Sequence, residues 1–201
     1  MTLSEKFDVW RSKMPYQAGS LALVGILTSA ALALANQATE KPIADSLQKD
    51  LKVSLAQVLP VGSFDNDLAG TTVKHQGRTV YLAKKGGKLT GAVFETSSKG
   101  YSGSINVVMA VDPQGKVLGV RVLSHTETPG LGDKIETQKS DWIKSFIGKT
   151  LPGAKWAVKK DGGEFDQFAG ATITPRAVVK AVHEGLQWYV QENAAILKEE
   201  K

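Results

Sequence analysis

Cysteine is absent from this chain of 201 residues. Its absence excludes disulfide bonds, thiolate nucleophiles and iron–sulfur clusters held by cysteine. Histidine is scarce, with three residues, and neither a His-x-x-x-His motif nor a pair of carboxylates has the spacing of metal ligands. The sequence therefore predicts no metal site, and its motifs assign no catalytic residue.

Clustered positive charge is also missing, although the net charge is +5. Lysines and arginines are scattered apart from Lys84-Lys85 and Lys159-Lys160, and no basic motif is interleaved with aromatics, so we expect no nucleic-acid binding. No GxGxxG fingerprint of a nicotinamide site occurs. A hydrophobic fraction of 42% and a charged fraction of 22% predict a folded core.

The longest uncharged segment lies near the N-terminus. Residues 14–39 contain no charge, and the apolar run 19–35 can cross the hydrocarbon core of a bilayer once Tyr16 and Gln17 are added. Tyr16 would then lie at a membrane interface. We expect a cytoplasmic tail over residues 1–15 and a transmembrane helix over residues 16–36.

A signal peptide cleaved at Ala33-Leu34-Ala35 is the alternative interpretation of this segment. The long apolar core, and a helical pattern that continues after it, favour an uncleaved anchor. In both interpretations the large C-terminal part of the chain is translocated across the membrane.

Two further helical patterns flank the rest of the chain. The first begins at Pro42 and ends at Pro60, predicting a connecting helix over 37–60 whose apolar stripe packs on a core. That stripe consists of Leu47, Leu51, Leu55 and Val58. The second is the C-terminal helix, with inward residues Val178, Val179, Val182, Leu186, Tyr189 and Val190.

Between these helices the pattern is that of β-strands. Strands are predicted over 71–74, 79–83, 89–95, 105–111 and 116–123. Turns at Lys85-Gly86-Gly87-Lys88 and Asp112-Pro113-Gln114-Gly115 join neighbours, and sequential hairpins indicate an antiparallel sheet. The predicted fold class is therefore α+β: one N-terminal transmembrane helix, then a domain over 61–201 with an antiparallel sheet and flanking helices.

The first candidate binding stretch is the start of the C-terminal helix. Pro175 is favoured at the first helical position, which places Thr174 at the N-cap with its hydroxyl accepting from a backbone N–H. Thr172 lies two residues upstream, and Gly170 and Ala171 are small. Free N–H groups and the positive end of the helix dipole favour an anion there. Ordinary helix starts have the same residue types, so this pattern alone does not decide the point.

The second candidate stretch follows the last predicted strand and consists of Glu127, Thr128, Pro129, Gly130, Leu131 and Gly132. Proline and glycine predict a tight loop with exposed backbone N–H groups. Asp133 is expected to begin a helix, with apolar residues at Ile135, Trp142, Ile143 and Phe146. Turn chemistry alone also explains each residue type in this stretch.

Together the two stretches resemble a known family. DQFAGAT, residues 166–172, resembles the Asp-x-x-Ser/Thr-Gly-Ala-Thr motif of the FMN-binding domain in Rnf and sodium-pumping quinone reductase subunits, which carry FMN on a threonine. Ala169 departs from the Ser or Thr of that motif. ETPGLG, residues 127–132, looks like the family's loop against the flavin. The resemblance covers most of the chain and is strongest to the G subunits of Rnf (Rsx) complexes.

The resemblance implies covalent FMN, joined through its phosphate to Thr172, with Gly170, Ala171 and Thr174 around the attachment point. Residues 127–132 would hold the isoalloxazine through backbone N–H groups, which stabilise negative charge on a reduced flavin. Glu127 would oppose that charge, and we expect it to orient the loop.

The resemblance also implies an electron carrier in a complex that couples ferredoxin and NAD redox chemistry to ion movement. The partners would be the other membrane and redox subunits. A separate flavin transferase is needed because a threonine hydroxyl is a weak nucleophile and no base is apparent near Thr172. The location would be the cell inner membrane, crossed once, with the C-terminal domain in the periplasm.

Two alternative functions stay open: a C subunit of the sodium-pumping quinone reductase, and a flavin-free, membrane-tethered binding module. His125 is interpreted as a structural hydrogen-bonding residue rather than a proton donor, and Lys159 as a solvated turn residue that can also meet the phosphate. His75 is expected in a solvated loop and His183 on a helix surface.

Overall fold

The structure, a computed structural model, describes residues 14–199 apart from the side chains of residues 41–51 and 199. Helix α1 is Met14–Gln57, and helix α2 is Ile173–Glu199. The strands are β1 Thr72–His75, β2 Arg78–Lys85, β3 Lys88–Lys99, β4 Ser104–Val111 and β5 Val117–Ser124. Short 3-10 helices occupy Asp133–Ile135, Trp142–Phe146 and Lys159–Asp161.

The chain divides into two compact units, Met1–Lys49 and Asp50–Lys201. The predicted start of a new helix at Pro42 is wrong, because α1 continues through this residue. A proline removes one backbone hydrogen bond from a helix, and the good helix formers on both sides outweigh that loss. The predicted boundaries at residues 36 and 60 stay predictions.

The part of α1 over Met14–Glu40 is a candidate membrane span of 27 residues. It is long and apolar enough to cross a bilayer, and its most apolar 18-residue window buries none of its surface inside the protein. A signal sequence near an N-terminus can also be long and apolar enough to meet this description. The choice between anchor and signal peptide therefore stays a prediction.

The five strands form an antiparallel sheet in the order β1-β2-β3-β4-β5, which confirms the predicted fold class. Gly86 and Gly87 form the predicted β2–β3 turn with φ of 55° and 77°. Two consecutive residues with positive φ match the twist of a tight hairpin. His75, expected in a solvated loop, instead ends β1, and its Nε2 lies 2.9 Å from Glu192 Oε2.

Helix α2 packs on one face of the sheet. The inward prediction is confirmed for Val178, Val179, Val182, Leu186 and Tyr189, each at most 2% exposed. It is wrong for Val190, which is 41% exposed because its neighbour Tyr189 occupies the inward position. His183 is not a free surface residue, since its ring stacks on Trp156 with the centroids 5.3 Å apart.

The end of α1 and the segment after it pack on the opposite face. Leu55 and Val58 are buried there, together with Leu59, Leu68, Ala83, Val93, Val108 and Ala110. The predicted core stripe is thus confirmed at Leu55 and Val58, whereas Leu47 and Leu51 lie outside the described side chains. The sheet is consequently buried on both faces.

The segment between β5 and α2 is irregular. The single helix predicted from Asp133 onward is replaced by two short 3-10 helices, because the Ser140 hydroxyl accepts the Trp142 amide at 3.1 Å and interrupts the helical pattern. Ile135, Ile143 and Phe146 are nevertheless fully buried, as their apolar spacing indicated. Phe146 stacks on Phe165 with the ring centroids 4.5 Å apart.

Candidate functional site

A cleft of about 380 Å³ lies where the β3–β4 turn, the loop after β5 and the start of α2 meet. It is lined by Tyr101, Glu127, Thr128, Leu131, Gly132, Gly170, Ala171, Thr172, Ile173 and Thr174. The two stretches singled out in the sequence thus come together around one cavity. Of their candidate residues, Pro129 and Gly130 do not line it; Gly130 shapes the loop through a φ of 78°.

The residues just before Thr172 form a tight turn. The Ala171 amide donates to the Phe168 carbonyl oxygen at 3.2 Å, and Gly170 takes a φ of 81°. Positive φ at this third position is the requirement of a type II turn and favours glycine. Ala169 is the exposed second residue, so its side chain has no structural task in the turn.

A tryptophan anchors this turn to the body of the domain. The Trp142 indole Nε1 donates to the Asp166 carbonyl oxygen at 2.8 Å, and its ring meets Phe168 edge-on at 5.2 Å. The Asp166 carboxylate points away from these contacts and pairs with Lys159 at 2.6 Å, both side chains being largely exposed. Residues 166–172 are therefore held through the Asp166 backbone and the Phe168 ring.

The helix start differs from the prediction. Helix α2 begins at Ile173, so Thr172 is the residue that precedes it, and Pro175 is its third residue. The predicted capping role of Thr174 is wrong: its hydroxyl is buried and donates to the Glu127 carboxylate. Glu127, 47 positions earlier in the chain, offers the Thr174 hydroxyl a charged acceptor. A charged acceptor forms a stronger hydrogen bond than a neutral one.

The amides of Ile173 and Thr174 come too early in α2 for an intrahelical partner. Arg176 adds a positive charge one turn later, and its Nη1 lies 3.4 Å from the Thr172 carbonyl oxygen. Its guanidinium also holds Asp161 through bonds of 2.6 and 2.9 Å, which lowers the pKa of that carboxyl. The Thr172 end of the cleft therefore offers free amides at the positive end of the helix dipole, while the charge of Arg176 is shared with Asp161.

Glu127 lies at the centre of the cleft wall and is 4% exposed. Its Oε1 accepts the Ser102 amide at 3.0 Å, and its Oε2 accepts the Thr174 hydroxyl. Burial would raise the pKa of this carboxyl, but hydrogen bonds from Thr174, Ser102 and Tyr101, with His125 nearby, hold the pKa below its ordinary value. Glu127 is thus ionised at neutral pH.

Most backbone N–H groups of the loop after β5 are already used within the loop, and the expectation that they hold a ligand stays a prediction. The amides of Leu131 and Gly132 donate to the Thr128 carbonyl oxygen at 3.2 and 2.9 Å. Gly130 donates to the Asp133 carboxylate, and Glu127 to His125 Nδ1 at 3.1 Å. The amides of this tight loop therefore serve to close the loop itself, whereas the amides at the start of α2 have no intrahelical partner.

Neither His125 nor Lys159 lines the cleft. Because His125 Nδ1 accepts a backbone N–H, its proton lies on Nε2, which donates to Glu136 Oε1 at 2.9 Å. The structural interpretation of His125 is therefore confirmed. Lys159 is committed to its exposed pair with Asp166.

Two cleft residues were missed in the sequence, Tyr101 and Ile173. They are 70% and 45% exposed, and Leu131 beside them is 43% exposed. An aromatic residue at a glycine-flanked turn, here between Gly100 and Gly103, is a signal that could have identified Tyr101.

The cleft fits a flavin mononucleotide on its own chemistry. A flavin has a planar apolar ring at one end and a phosphate at the other. The exposed side chains of Tyr101, Leu131 and Ile173 provide apolar surface for the ring. The first turn of α2, with Thr172 before it and Arg176 within it, provides the anion end.

Comparison with known proteins agrees with this geometry. The FMN-binding domain family matches residues 100–187, which include every residue that lines the cleft. The G subunit of the ion-translocating oxidoreductase complex of Stutzerimonas stutzeri is 48% identical over 196 residues, covering 94% of this chain and 86% of its own length. The chain belongs to this family of G subunits.

The corresponding G subunit of Pseudomonas aeruginosa is 44% identical over 196 residues, covering 91% of this chain and 90% of its own length. The crystal structure of Shewanella oneidensis NqrC is 26% identical, covers 58% of this chain and 64% of that chain, and has a TM-score of 0.47. Membership of the G-subunit family confirms the resemblance found in the two motifs.

Proposed function

We propose that this chain is the electron-transferring flavoprotein subunit of a membrane-bound, ion-translocating oxidoreductase. FMN lies in the cleft and is joined through its phosphate to the Thr172 hydroxyl. The observation that carries the proposal is the position of Thr172, which lines the cleft and directly precedes the first turn of α2. The G-subunit relatives and the FMN-binding domain match support it.

When bound, FMN supplies one- and two-electron exchange, and the protein supplies position and electrostatics. Thr172 would hold the phosphate, beside the free amides at the start of α2 and the guanidinium of Arg176. Tyr101, Leu131 and Ile173 would contact the ring and exclude water from it. No residue of this chain is assigned a proton-transfer role.

Attachment of the flavin requires a second protein. Among the described contacts, no side chain receives a hydrogen bond from the Thr172 hydroxyl, and the Glu127 carboxylate already accepts from Thr174. A flavin transferase would therefore supply the base. In that transfer the Thr172 oxygen would bond to the phosphorus of an activated flavin phosphate, the bond from phosphorus to its leaving group would break, and the hydroxyl proton would pass to the base of the transferase.

The proposed location is the cell inner membrane, crossed once by residues 16–36. Residues 1–15 lie in the cytoplasm and the domain over 61–201 in the periplasm, where a covalent bond prevents loss of the cofactor. The partners are the other membrane and redox subunits of an Rnf-type complex, and the overall reaction couples ferredoxin and NAD redox chemistry to ion movement. The candidate span Met14–Glu40 supports the membrane assignment.

The two alternative functions have less support. A C subunit of the sodium-pumping quinone reductase would have the same cofactor with other partners, but relatives of 44% and 48% identity over most of this chain are G subunits. A flavin-free module does not account for a cleft formed within residues that match an FMN-binding domain.

The experiment is intact-protein mass and peptide mapping of chain produced together with a flavin transferase. We expect wild type to gain the mass of FMN less one water, on the peptide that contains Thr172. The Thr172→Ala variant should fold without gaining mass, and Ala169→Ser, in the same turn, should gain it fully. An unmodified wild type, or a modified Thr172→Ala variant, would contradict the proposal.

A further inference from the structure

The Glu127 carboxylate ties together the three segments that form the cleft. One oxygen accepts the Ser102 amide of the β3–β4 turn at 3.0 Å, and the Tyr101 amide also donates to this carboxylate. The other oxygen accepts the Thr174 hydroxyl of α2. One side chain of the loop after β5 therefore fixes the turn that carries Tyr101 and the helix that follows Thr172.

Glycines on two sides leave room for this carboxylate and for little else. A Cβ atom at Gly100 would lie 2.5 Å from Glu127 Oε1, and one at Gly132 would lie 2.8 Å from Glu127 Cβ. Real Cβ atoms essentially never approach other atoms so closely. The position of the charge is thus set by packing as well as by hydrogen bonds.

No lysine or arginine in the described part of the chain pairs with Glu127. His125 lies near it, but its Nε2 is paired with Glu136 Oε1 at 2.9 Å. The negative charge is therefore stabilised mainly by hydrogen bonds and has no ion-pair partner among the described residues. With 4% exposure it is also poorly screened by water.

We propose that Glu127 is the positioning residue of the cleft and that its fixed negative charge lowers the midpoint potential of the flavin. This inference rests on the proposed function, because it requires FMN in the cleft. Reduction adds negative charge to a bound flavin, and a buried anion in the cleft wall opposes that addition. The same carboxylate holds the cleft open in the correct shape.

The test is a spectroelectrochemical titration of the flavin-loaded full chain. Glu127→Gln keeps the shape of the side chain and accepts the two amides through its carbonyl oxygen, while its NH₂ group donates to the Thr174 oxygen. We expect this variant to retain FMN and to show a more positive midpoint potential. An unchanged or more negative potential in a loaded Glu127→Gln variant would overturn the inference.

Thr174→Val is a second variant, independent of whether Glu127→Gln folds. It keeps the charge and removes one of the donors that neutralise it, so we expect a more negative potential. If Glu127 only positioned the cleft segments, the midpoint potentials of the two variants would not shift in opposite directions. An unchanged or more positive potential in loaded Thr174→Val would count against the inference.

Glu192→Gln is the matched control, because it also removes one carboxylate charge. Glu192 lies 19 positions along α2 from Ile173, which corresponds to about 28 Å and exceeds the Debye length of about 8 Å in physiological salt. The flavin midpoint potential of the Glu192→Gln variant should equal that of wild type. If wild type carries no flavin, the proposed function fails; if wild type is loaded and the shifts do not appear, only this inference fails.

Discussion

The backbone of Val58 lies directly against Gly119 of strand β5, and a Cβ atom at Gly119 would come 2.8 Å from the Val58 carbonyl carbon. The last residues of α1 and their continuation thus approach an edge strand with no space for a side chain between them. This contact is where the segment after the helix is fixed to the sheet.

Gly119→Ala should therefore destabilise the domain. The added methyl group meets backbone, which cannot rotate away, so we expect a loss of about 1–3 kcal/mol in the free energy of unfolding. Urea unfolding of the full chain in detergent, followed by tryptophan fluorescence, measures it. Gly25→Ala is the control, since nothing lies within 4 Å of that position and no loss is expected.

A second prediction concerns the turn before Thr172. Gly170→Ala places a side chain at φ 81° and 3.2 Å from Leu131 Cδ2, so it should cost about 1–2 kcal/mol of stability and narrow the cleft. Ala169→Ser, next to it, should leave stability within about 0.5 kcal/mol of wild type. The melting temperature and the amount of flavin bound per chain are measured for the Gly170→Ala and Ala169→Ser variants. Equal stability of the two variants would mean that the turn is not of the type described.

A third prediction concerns the buried hydroxyl of Tyr189. Among the described residues this hydroxyl has no hydrogen-bond partner, and burial raises its pKa to about 12. Because the folded pKa exceeds the unfolded value of about 10, the stability of the fold does not depend on the ionisation of Tyr189 below pH 10 and falls as pH rises from 10 towards 12.

Tyr189→Phe removes the unsatisfied hydroxyl and keeps the ring that stacks on Phe94. We expect it to raise stability by about 1 kcal/mol at neutral pH and to move alkaline unfolding to higher pH. Denaturant unfolding at pH 7 and a pH titration of the circular dichroism signal test both parts. A less stable variant would indicate that the hydroxyl has a partner in solution.

The absence of cysteine makes membrane topology directly measurable, because a single introduced thiol has no background. We expect Lys88→Cys, at the exposed β2–β3 turn, to react with a membrane-impermeant maleimide in spheroplasts. Ser4→Cys, in the predicted cytoplasmic tail, should react only after lysis. Labelling of Ser4→Cys but not Lys88→Cys in spheroplasts would reverse the proposed orientation.

The β-sheet could be predicted because strands and tight turns are specified by residues that are close together in the sequence. Alternating apolar residues and paired glycines such as Gly86-Gly87 specify strands and turns within a few residues of each other. The residues before α2 and the loop after β5 were also recognisable as loops, and their joint resemblance to the motifs of one family suggested one site.

The details that failed depend on contacts between distant residues. Thr174 resembled a helix cap, but Glu127, 47 positions earlier, provides a charged acceptor for its hydroxyl that no local pattern reveals. Likewise, residues 133–146 have apolar spacing typical of one helix, yet the Ser140 hydroxyl interrupts it. Tyr101 was not among the expected binding residues, because its place at the cleft depends on how the β3–β4 turn docks.

Helix α2 has a consequence for the order of synthesis. It covers one face of the sheet, and its first turn completes the cleft that the earlier loops begin. Each strand can pair with its predecessor as soon as both have been synthesised, but a chain that stops short of residue 173 lacks the helix that covers the core and lines one side of the cleft. If FMN is joined to Thr172 as proposed, we expect its attachment to follow the synthesis of α2.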